Sequence, residues 1–262
     1  MRRTLLFISL IVLAFFLAGC NSPQLTATDV RTIKIAGSTS MLPVSETLAQ
    51  YYENKTSGIH VNVQGGDSTI GMRGIINGIV DIGALSRALT MEERKELNSY
   101  EIAVDELSII TNPENPLQKM DYTKVRDVFS GKITNWKELG GPDHAVSVIV
   151  REEGSGTSIV FKEAIMGDNS IYGQAAVLPS TGAVKAAAAR DKYAVGYISS
   201  NYLSEEIKPL IIISGEKESH ILTRHLIYVS KKQVDPTVQA FLDFASSDEA
   251  KKVLAEIKKS GS

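Results

Sequence analysis

Apolar and polar positions alternate in short blocks along the chain, and these blocks predict strands and helices in regular succession. Residues 30–35 predict a first strand, which ends in a tight turn at residues 36–37. Apolar residues at helical spacing begin near Pro43, a residue that suits the first turn of a helix. A second strand is predicted at residues 59–63, followed by a short helix. The nearly continuous apolar run at residues 80–85 is typical of a strand buried in a parallel sheet. This succession predicts an α/β domain with right-handed crossovers.

The second half of the chain repeats the α/β pattern after a change in composition. Residues 91–99 predict a charged surface helix, and residues 106–111 predict an apolar strand. Two Asn-Pro pairs follow that strand, and such breaks suit a crossing between domains. The remaining predicted elements are a helix near residues 123–129, a strand at 146–150, a helix after Thr157, a strand at 194–199 and two helices within 236–259.

The apolar segment at residues 225–230 is similar in length and character to the segment at residues 106–111. We expect both segments to be strands that lie side by side and cross between two lobes. The lobes are predicted to comprise residues 30–111 with 223–262, and residues 112–222.

Three turns share one composition, in which a strand is followed by glycine with hydroxyl residues and then by a helix. They are residues 37–40 (GSTS), 65–69 (GGDST) and 154–157 (GSGT). A helix start leaves backbone N–H groups without intrahelical acceptors and carries a partial positive charge. Glycine allows close backbone approach, and hydroxyls add donors, so such a turn can bind an anion. Any one of these turns is typical of an ordinary helix cap, but three in one chain favour an anion site.

Arg151 precedes the third turn by three residues. A guanidinium binds a tetrahedral oxyanion through two parallel charge-assisted hydrogen bonds. The alternative is a surface ion pair with Glu152 or Glu153. Strand alternation and the following turn make that pair less favoured, because they place Arg151 at the carboxyl end of a strand, where open α/β sheets bind ligands.

The N-terminus has the pattern of a secretory signal, with two arginines after Met1 and an apolar stretch over residues 5–17. The sequence LAGC closes it at Cys20, the single cysteine of the chain, and resembles a bacterial lipobox in which that cysteine carries lipid. A cut near Ala18 that leaves a free thiol is the alternative. We therefore predict a signal peptide with lipobox over residues 1–20 and a polar tether over residues 21–29.

Several segments together resemble the periplasmic or lipid-anchored phosphate-binding proteins of bacterial phosphate ABC transporters, over residues 30–260. They are residues 36–52 (AGSTSMLPVSETLAQYY), 63–87 (VQGGDSTIGMRGIINGIVDIGALSR), 129–141 (FSGKITNWKELGG), 151–161 (REEGSGTSIVF) and 180–199 (STGAVKAAAARDKYAVGYIS). The resemblance implies a two-lobed periplasmic-binding-protein type II fold. Each lobe would have a mostly parallel sheet flanked by helices, two crossing strands would join the lobes, and the lobes would close on one dehydrated phosphate.

The resemblance also implies which residues contact phosphate. They are Thr39 and Ser40 from the first turn, Ser68 from the second helix start, Arg151 as the charged clamp, and Ser155, Gly156 and Thr157 from the other lobe.

One position departs from the family pattern. Longer members place an aspartate after the strand equivalent to residues 80–85, where it accepts the proton of hydrogen phosphate and repels sulfate. This chain has Ser86 there, followed by Arg87. The hydroxyl of Ser86 can accept that proton but cannot repel an unprotonated anion. Discrimination against sulfate is therefore weaker here or depends on another residue, of which Asp67 is the nearest acid. Arg87 is either a second positive contact or a strut paired with a neighbouring acid, and the strut is favoured.

These features predict a monomeric receptor, anchored to the outer face of the cell membrane through Cys20. It would bind inorganic phosphate and deliver it to the permease and ATPase subunits of an ABC transporter, without a cofactor or metal. The alternative is a receptor or sensor for another tetrahedral oxyanion such as sulfate. Nucleic acid is excluded as a partner, because the formal net charge is −2 and no basic stripe appears.

An enzyme is disfavoured by the absence of a G-x-S-x-G elbow, of metal-ligand spacing among the histidines and of a complete P-loop. Trp136 is interpreted as a packing residue, since phosphate gives an indole ring no surface for stacking. Phe241, Leu242 and Phe244 are expected to face the core of the first lobe.

Overall fold

A computed structural model of the chain describes residues 30–214, 217–219 and 221–260. The predicted signal sequence, Cys20 and the tether lie outside the described residues. None of the helices in the described residues has both the length and the apolar character required to cross a bilayer.

Strands and helices alternate through most of the chain, as the hydrophobic pattern predicts. The strands are β1 (Arg31–Ser38), β2 (Ile59–Gly66), β3 (Ile82–Leu85), β4 (Leu97–Thr111), β5 (Lys119–Asp121), β6 (Ser147–Arg151), β7 (Ala176–Leu178), β8 (Ala194–Ser199), β9 (Lys208–Pro209), β10 (Ile211–Ser214), β11 (Lys217–Ser219) and β12 (Ile221–Lys231). The α-helices are α1 (Leu42–Lys55), α2 (Ser68–Ile76), α3 (Met91–Glu96), α4 (Tyr122–Phe129), α5 (Gly156–Phe161), α6 (Thr181–Arg190), α7 (Pro236–Ala245) and α8 (Asp248–Ser260). Short 3₁₀ turns lie at Thr39–Met41, Trp136–Leu139 and Ser200–Tyr202, and a π-helical turn at Lys162–Met166.

The two long strands β4 and β12 join the two halves of the main sheet. Within the described residues, the strand order is β2-β1-β3-β12-β4-β8-β6-β7, and β9 also pairs with β4. β1 pairs in parallel with β2 and β3, and β6 pairs in parallel with β7 and β8. β12 runs antiparallel to β3 and β4, and β4 antiparallel to β8. The parallel pairing in each half and the two adjacent crossing strands agree with the prediction. Among the described residues, however, the two halves form one continuous nine-stranded mixed sheet and not a separate sheet in each lobe.

Buried apolar side chains form one large cluster in each lobe. In the first lobe, Ile33 of β1 packs with Leu48 of α1 and with Phe241 of α7. In the second lobe, Phe129 and Phe161 pack with residues of β6 and β8. Leu107 and Ile109, near the end of β4, also belong to the second cluster. The residue boundaries of the lobes stay a prediction.

The aromatic packing residues were correctly interpreted from the sequence. Trp136 is fully buried, and its indole N–H donates to the carbonyl of Tyr193 at 2.9 Å. Phe241 and Leu242 are fully buried, and Phe244 packs against the same first-lobe cluster. Neither the indole nor these rings contribute to a polar site.

Several predicted boundaries differ from the observed ones: the strands predicted at residues 59–63, 106–111 and 225–230 span Ile59–Gly66, Leu97–Thr111 and Ile221–Lys231. Two further boundaries were wrong for reasons that the strand pairing shows. The first strand continues through residues 36–37, where a turn was predicted, because parallel pairing with β2 extends to Ser38. Gly37 has φ +144°, and a Cβ there would overlap the carbonyl of Ala84 on β3, so this close strand pairing requires glycine. The charged helix predicted at residues 91–99 ends at Glu96, because Leu97 already pairs with Lys231 of β12.

Candidate functional site

The hydroxyl-bearing turns lie at the carboxyl ends of the parallel strands. Ser38 is the last residue of β1 and Ser86 follows β3, while Ser155 and Gly156 follow β6 at the start of α5. The first lobe and the second lobe therefore each present a strand end to the same place, the position at which open α/β sheets bind ligands.

Hydroxyl groups from both lobes meet in one buried network, which we call the hydroxyl cluster. Its members are Ser38, Thr39, Ser40, Ser68, Ser86, Thr157 and Thr181, and the most exposed of them, Thr39, has 6% of its surface accessible. At its centre, the Ser40 Oγ lies 2.9 Å from the Thr157 Oγ1 and 3.2 Å from the Thr181 Oγ1. Ser40 belongs to the first lobe and both threonines to the second, so these hydrogen bonds join the lobes.

Serines of the first lobe form one side of the hydroxyl cluster. The Ser38 Oγ donates to the Ser86 Oγ at 2.8 Å, and the backbone N–H of Ser86 donates to the Ser68 Oγ at 3.1 Å. Gly156 of the second lobe lies directly against this pair. A Cβ built on Gly156 would be 2.5 Å from the Ser68 Oγ and 2.6 Å from the Ser86 Oγ, so glycine is what allows this approach.

Arg151 enters the hydroxyl cluster from the second lobe. Its side chain is 1% exposed, and its Nη1 donates to the Thr181 Oγ1 at 3.1 Å. Its Nε and Nη2 donate to the two carboxylate oxygens of Glu152 at 2.9 and 2.6 Å. The pair with Glu152, which was less favoured from the sequence, is thus present. The Glu152 side chain is 25% exposed, whereas the guanidinium is buried, so the pair holds Arg151 in place while one edge of the guanidinium contacts the cluster.

A second arginine reaches the hydroxyl cluster from the crossing strand β12. Arg224 is 4% exposed, and its Nη1 donates to the Thr157 Oγ1 at 2.8 Å. Its Nε and Nη2 donate to the Asp105 Oδ2 at 2.8 and 2.7 Å. Asp105 lies on the neighbouring strand β4 and is fully buried. Each arginine is therefore held by one carboxylate and donates to one threonine next to Ser40.

The comparisons with known proteins agree with this geometry. A family model described as a PBP superfamily domain matches residues 22–249. The chain belongs to the PBP superfamily. The fold class predicted from the sequence is thereby confirmed.

Individual relatives of this PBP-superfamily chain carry phosphate in their names. The phosphate-binding protein PstS of Borreliella burgdorferi is 28% identical over 248 residues, which covers 86% of this chain and 88% of the relative. A Clostridium perfringens structure, described as a phosphate ABC transporter substrate-binding protein with bound phosphate, matches with a TM-score of 0.81 and 29% identity, over 86% of this chain and 97% of that one. An ABC-type phosphate transport receptor from Vibrio cholerae matches with a TM-score of 0.68 and 28% identity, over 87% and 98%. The family resemblance inferred from the sequence is confirmed.

The structure brings most of the predicted site residues of this PBP-superfamily chain together, some as hydroxyls of the cluster and others as residues that contact it. Thr39, Ser40, Ser68, Ser86 and Thr157 contribute hydroxyls to the cluster, and Arg151 and Gly156 contact it. Ser155 is buried at the same turn, but its hydroxyl caps α5 by accepting from the Ser158 N–H at 3.4 Å. Cys20 lies outside the described residues.

Three members of the site were missed from the sequence. Thr181 follows Ser180 and precedes Gly182 at the start of α6, so it has the same composition as the three turns that were recognised. Ser38 lies within the first of those turns. Arg224 carried a weaker signal, a charge immediately before an apolar run, and only the pairing of β12 with β4 places it opposite Asp105.

Arg87 and Asp67, for which the sequence allowed more than one role, have defined contacts. Arg87 donates from Nη1 and Nη2 to the two carboxylate oxygens of Glu93, each at 2.8 Å, which agrees with the favoured strut. Asp67 caps α2, because its Oδ1 accepts from the Ile70 N–H at 2.7 Å. Its carboxylate lies beside Gly154 at the edge of the turn and makes none of the described hydrogen bonds of the hydroxyl cluster.

Burial determines the electrostatics around the hydroxyl cluster. Desolvation lowers the pKa of the Arg224 guanidinium, Asp105 raises that pKa, and the charge of Arg151 lowers it again. Burial also raises the pKa of Tyr202 to about 12, and its neutral hydroxyl donates to the Thr39 carbonyl at 2.6 Å. An arginine is not deprotonated in proteins, so the cluster contains two positive charges that affect each other and that an anion would stabilise.

The described residues contain no group of three His, Cys, Asp or Glu side chains that would hold a metal ion. The hydroxyl cluster itself offers hydrogen-bond donors. A hydroxyl whose oxygen accepts from a guanidinium, as in Thr157 and Thr181, keeps its own proton free to donate to an anion.

Proposed function

We propose that this chain binds inorganic phosphate between its two lobes and delivers it to the permease and ATPase subunits of an ABC transporter. The observation that carries the proposal is the hydroxyl cluster, in which buried hydroxyls of both lobes and an arginine converge on Ser40. The phosphate-named relatives and the phosphate-bound neighbour support the choice of ligand. These relatives are named as binding and transport proteins, which supports a binding role without catalysis.

In this proposal, phosphate replaces the hydrogen bonds that the hydroxyls now make to one another. Ser40 and Thr157 would turn their protons from each other to the anion, and so would Ser68 and Ser86. Backbone N–H groups at Thr39 and Gly156 are further donors, whereas the Ser155 N–H already donates to the Glu152 carbonyl at 3.1 Å. A dehydrated anion loses its water shell on binding, and a closed set of donors replaces that shell.

The location of the protein is part of the same proposal. The pattern that ends at Cys20 supports export and a lipid anchor on this cysteine at the outer face of the membrane. Mass spectrometry of the N-terminal peptide tests the anchor. A diacylglyceryl group on Cys20 is expected, and an unmodified thiol after a cut near Ala18 would contradict it.

The ligand is tested by titration calorimetry of the ligand-free protein with phosphate and with sulfate. Phosphate should bind more tightly, and comparable affinities would contradict a phosphate-specific receptor. The alternative of a general oxyanion receptor then stands, because Ser86 offers no negative charge against sulfate.

One substitution locates the ligand within the hydroxyl cluster. Thr157→Val keeps the shape of the side chain and removes the hydroxyl that joins Ser40 and Arg224. We expect it to weaken phosphate binding by about tenfold or more, since hydrogen bonds to charged groups contribute about 1.5–3 kcal/mol. The matched control, Thr47→Val, removes a hydroxyl of α1 outside the cluster and should leave the affinity unchanged. Equal affinities of the two variants would place the ligand elsewhere.

A further inference from the structure

Arg224 has the same set of hydrogen bonds as Arg151, although the two residues come from different parts of the fold. In each case Nε and Nη2 bind a carboxylate, Glu152 or Asp105, and Nη1 donates to a threonine of the hydroxyl cluster. Both threonines are hydrogen-bonded to the Ser40 Oγ, at 2.9 and 3.2 Å. The two guanidinium groups therefore approach Ser40 through the two threonines that flank it.

Asp105 is held more firmly than a simple ion-pair partner requires. Its Oδ2 accepts the two bonds from Arg224, while its Oδ1 accepts from the Ser199 Oγ at 2.9 Å and the Ser200 Oγ at 3.2 Å. The amide of Asn201 adds a third donor to Oδ1 at 3.3 Å. This carboxylate is fully saturated by donors on β8, on β12 and in the 3₁₀ turn Ser200–Tyr202, so it fixes the orientation of Arg224.

A guanidinium offers five N–H donors. The hydrogen bonds among described residues use three of those of Arg224, which leaves one N–H on each terminal nitrogen. The terminal nitrogen Nη1 is already within 2.8 Å of a cluster hydroxyl. An oxyanion that takes the place of the Ser40–Thr157 hydrogen bond thus comes within reach of this nitrogen.

We propose that Arg224 is a second ligand-binding arginine, positioned by Asp105, so that the anion is bound by one guanidinium on each side of Ser40. The inference rests on the proposed function, since it takes phosphate as the ligand. It assigns the site to tetrahedral oxyanions, because two carboxylate-held guanidinium groups direct N–H donors to the ligand from both sides of Ser40. Asp105 is a positioning residue in this arrangement and does not contact the ligand.

The test uses phosphate titration by calorimetry on variants that keep the buried charges balanced. Asp105→Asn with Arg224→Gln converts the ion pair into a neutral hydrogen-bonded pair. It should weaken phosphate binding by about tenfold to a hundredfold, since charge-assisted hydrogen bonds are roughly twice as strong as neutral ones. Arg224→Lys keeps the charge but loses the fork of donors, so it should bind phosphate more tightly than the neutral pair and more weakly than the wild type.

A matched control is the Arg87–Glu93 pair, which has the same chemistry next to Ser86 but bonds to no hydroxyl of the cluster. Arg87→Gln with Glu93→Gln should bind phosphate within about twofold of the wild type. Thermal unfolding without phosphate checks that each variant is folded. If the neutral pair does not fold, Arg224→Lys replaces it in the comparison with the wild type. In that case Arg224→Lys should bind phosphate measurably more weakly than the wild type, because one ammonium replaces the fork of two terminal nitrogens.

Three results separate this inference from the proposed function. If the neutral pair, or Arg224→Lys in its place, binds phosphate as tightly as the wild type while Arg151→Gln binds weakly, Arg224 is structural and the receptor proposal survives. If Arg224→Lys binds no better than the folded neutral pair, the charge of Arg224 is not what matters, and the inference fails. If the wild type itself does not bind phosphate, both proposals fail together.

Discussion

Gly156 offers the sharpest test of whether the two lobes close around the site as the structure shows. The residue starts α5 in the second lobe and lies against two serines of the first lobe. A Cβ there would be 2.5 Å from the Ser68 Oγ, 2.6 Å from the Ser86 Oγ and 3.0 Å from the Ser86 carbonyl carbon. Gly156→Ala therefore adds one methyl group where the lobes meet, and its backbone conformation is open to alanine because φ is not positive.

The size of the effect follows from how little the neighbours of Gly156 can move. The Ser68 Oγ accepts from the Ser86 N–H, and the Ser86 Oγ accepts from Ser38, so displacing either serine breaks a buried hydrogen bond. Overpacking of this kind costs about 1–3 kcal/mol. If the cost falls on the closed form alone, the phosphate affinity should decrease by about 5- to 150-fold.

Calorimetry and thermal unfolding together check this prediction. Phosphate should bind more weakly to Gly156→Ala, and the increase in melting temperature with phosphate should shrink, while the melting temperature without phosphate stays close to that of the wild type. Gly173→Ala is the matched control, because a Cβ at Gly173 has no neighbour within 4 Å. Wild-type affinity in Gly156→Ala would refute the interlobe closure.

Three further predictions concern charge, pH and the core. Arg151→Ala should weaken the binding free energy of phosphate by about 2–5 kcal/mol, since the anion loses a counter-charge and Glu152 is left unpaired. A change of only about a few tenths of a kcal/mol in calorimetry would place Arg151 outside the site. The Arg87 hydrogen bonds lower the pKa of Glu93 below 4.5, so this pair stabilises the fold above about pH 4.5 and the stabilisation is lost as the pH falls through the lowered pKa. Urea unfolding should show that the wild type loses more stability than Glu93→Gln over that acid range, and parallel curves would contradict it. Phe241→Ala should lower the free energy of unfolding by about 3–5 kcal/mol, because its ring is fully buried; a large loss of phosphate affinity instead would give Phe241 a role that the structure does not show.

Hydrophobic periodicity predicted most of the elements, because the pattern of buried side chains is local. The strand Ala194–Ser199 was predicted with its observed bounds, and α7 and all but the last residue of α8 lie within the predicted range. Boundaries failed where long-range pairing decides them. Leu97 is in a strand and not in the preceding helix because β12, more than a hundred residues later, supplies its hydrogen-bond partners. The three-stranded sheet of β5, β10 and β11 also depends on pairing between distant segments and was not predicted.

The site was predictable to the extent that its residues share a local composition. Glycine and hydroxyl residues at helix starts identified Ser40, Ser68 and Thr157, all of which are in the hydroxyl cluster. Arg224 and Asp105 have no such context. They lie on adjacent antiparallel strands, and only their opposite positions in the pairing of β4 with β12 make an ion pair out of two isolated charges.

The same arrangement determines what an oxyanion meets in a site that has Ser86 where the family resemblance implies an aspartate. Both carboxylates next to the hydroxyl cluster, Glu152 and Asp105, are already engaged by arginines, so each arginine–carboxylate pair is formally neutral and directs N–H donors to the ligand. A free carboxylate at Ser86 would contribute charge repulsion against any fully ionised anion. Without it, discrimination between hydrogen phosphate and sulfate depends on whether Ser86 accepts the phosphate proton through its oxygen. A hydroxyl oxygen has two lone pairs, so Ser86 can accept the phosphate proton while it still accepts from Ser38, and the Ser38 hydrogen bond then holds the acceptor in place.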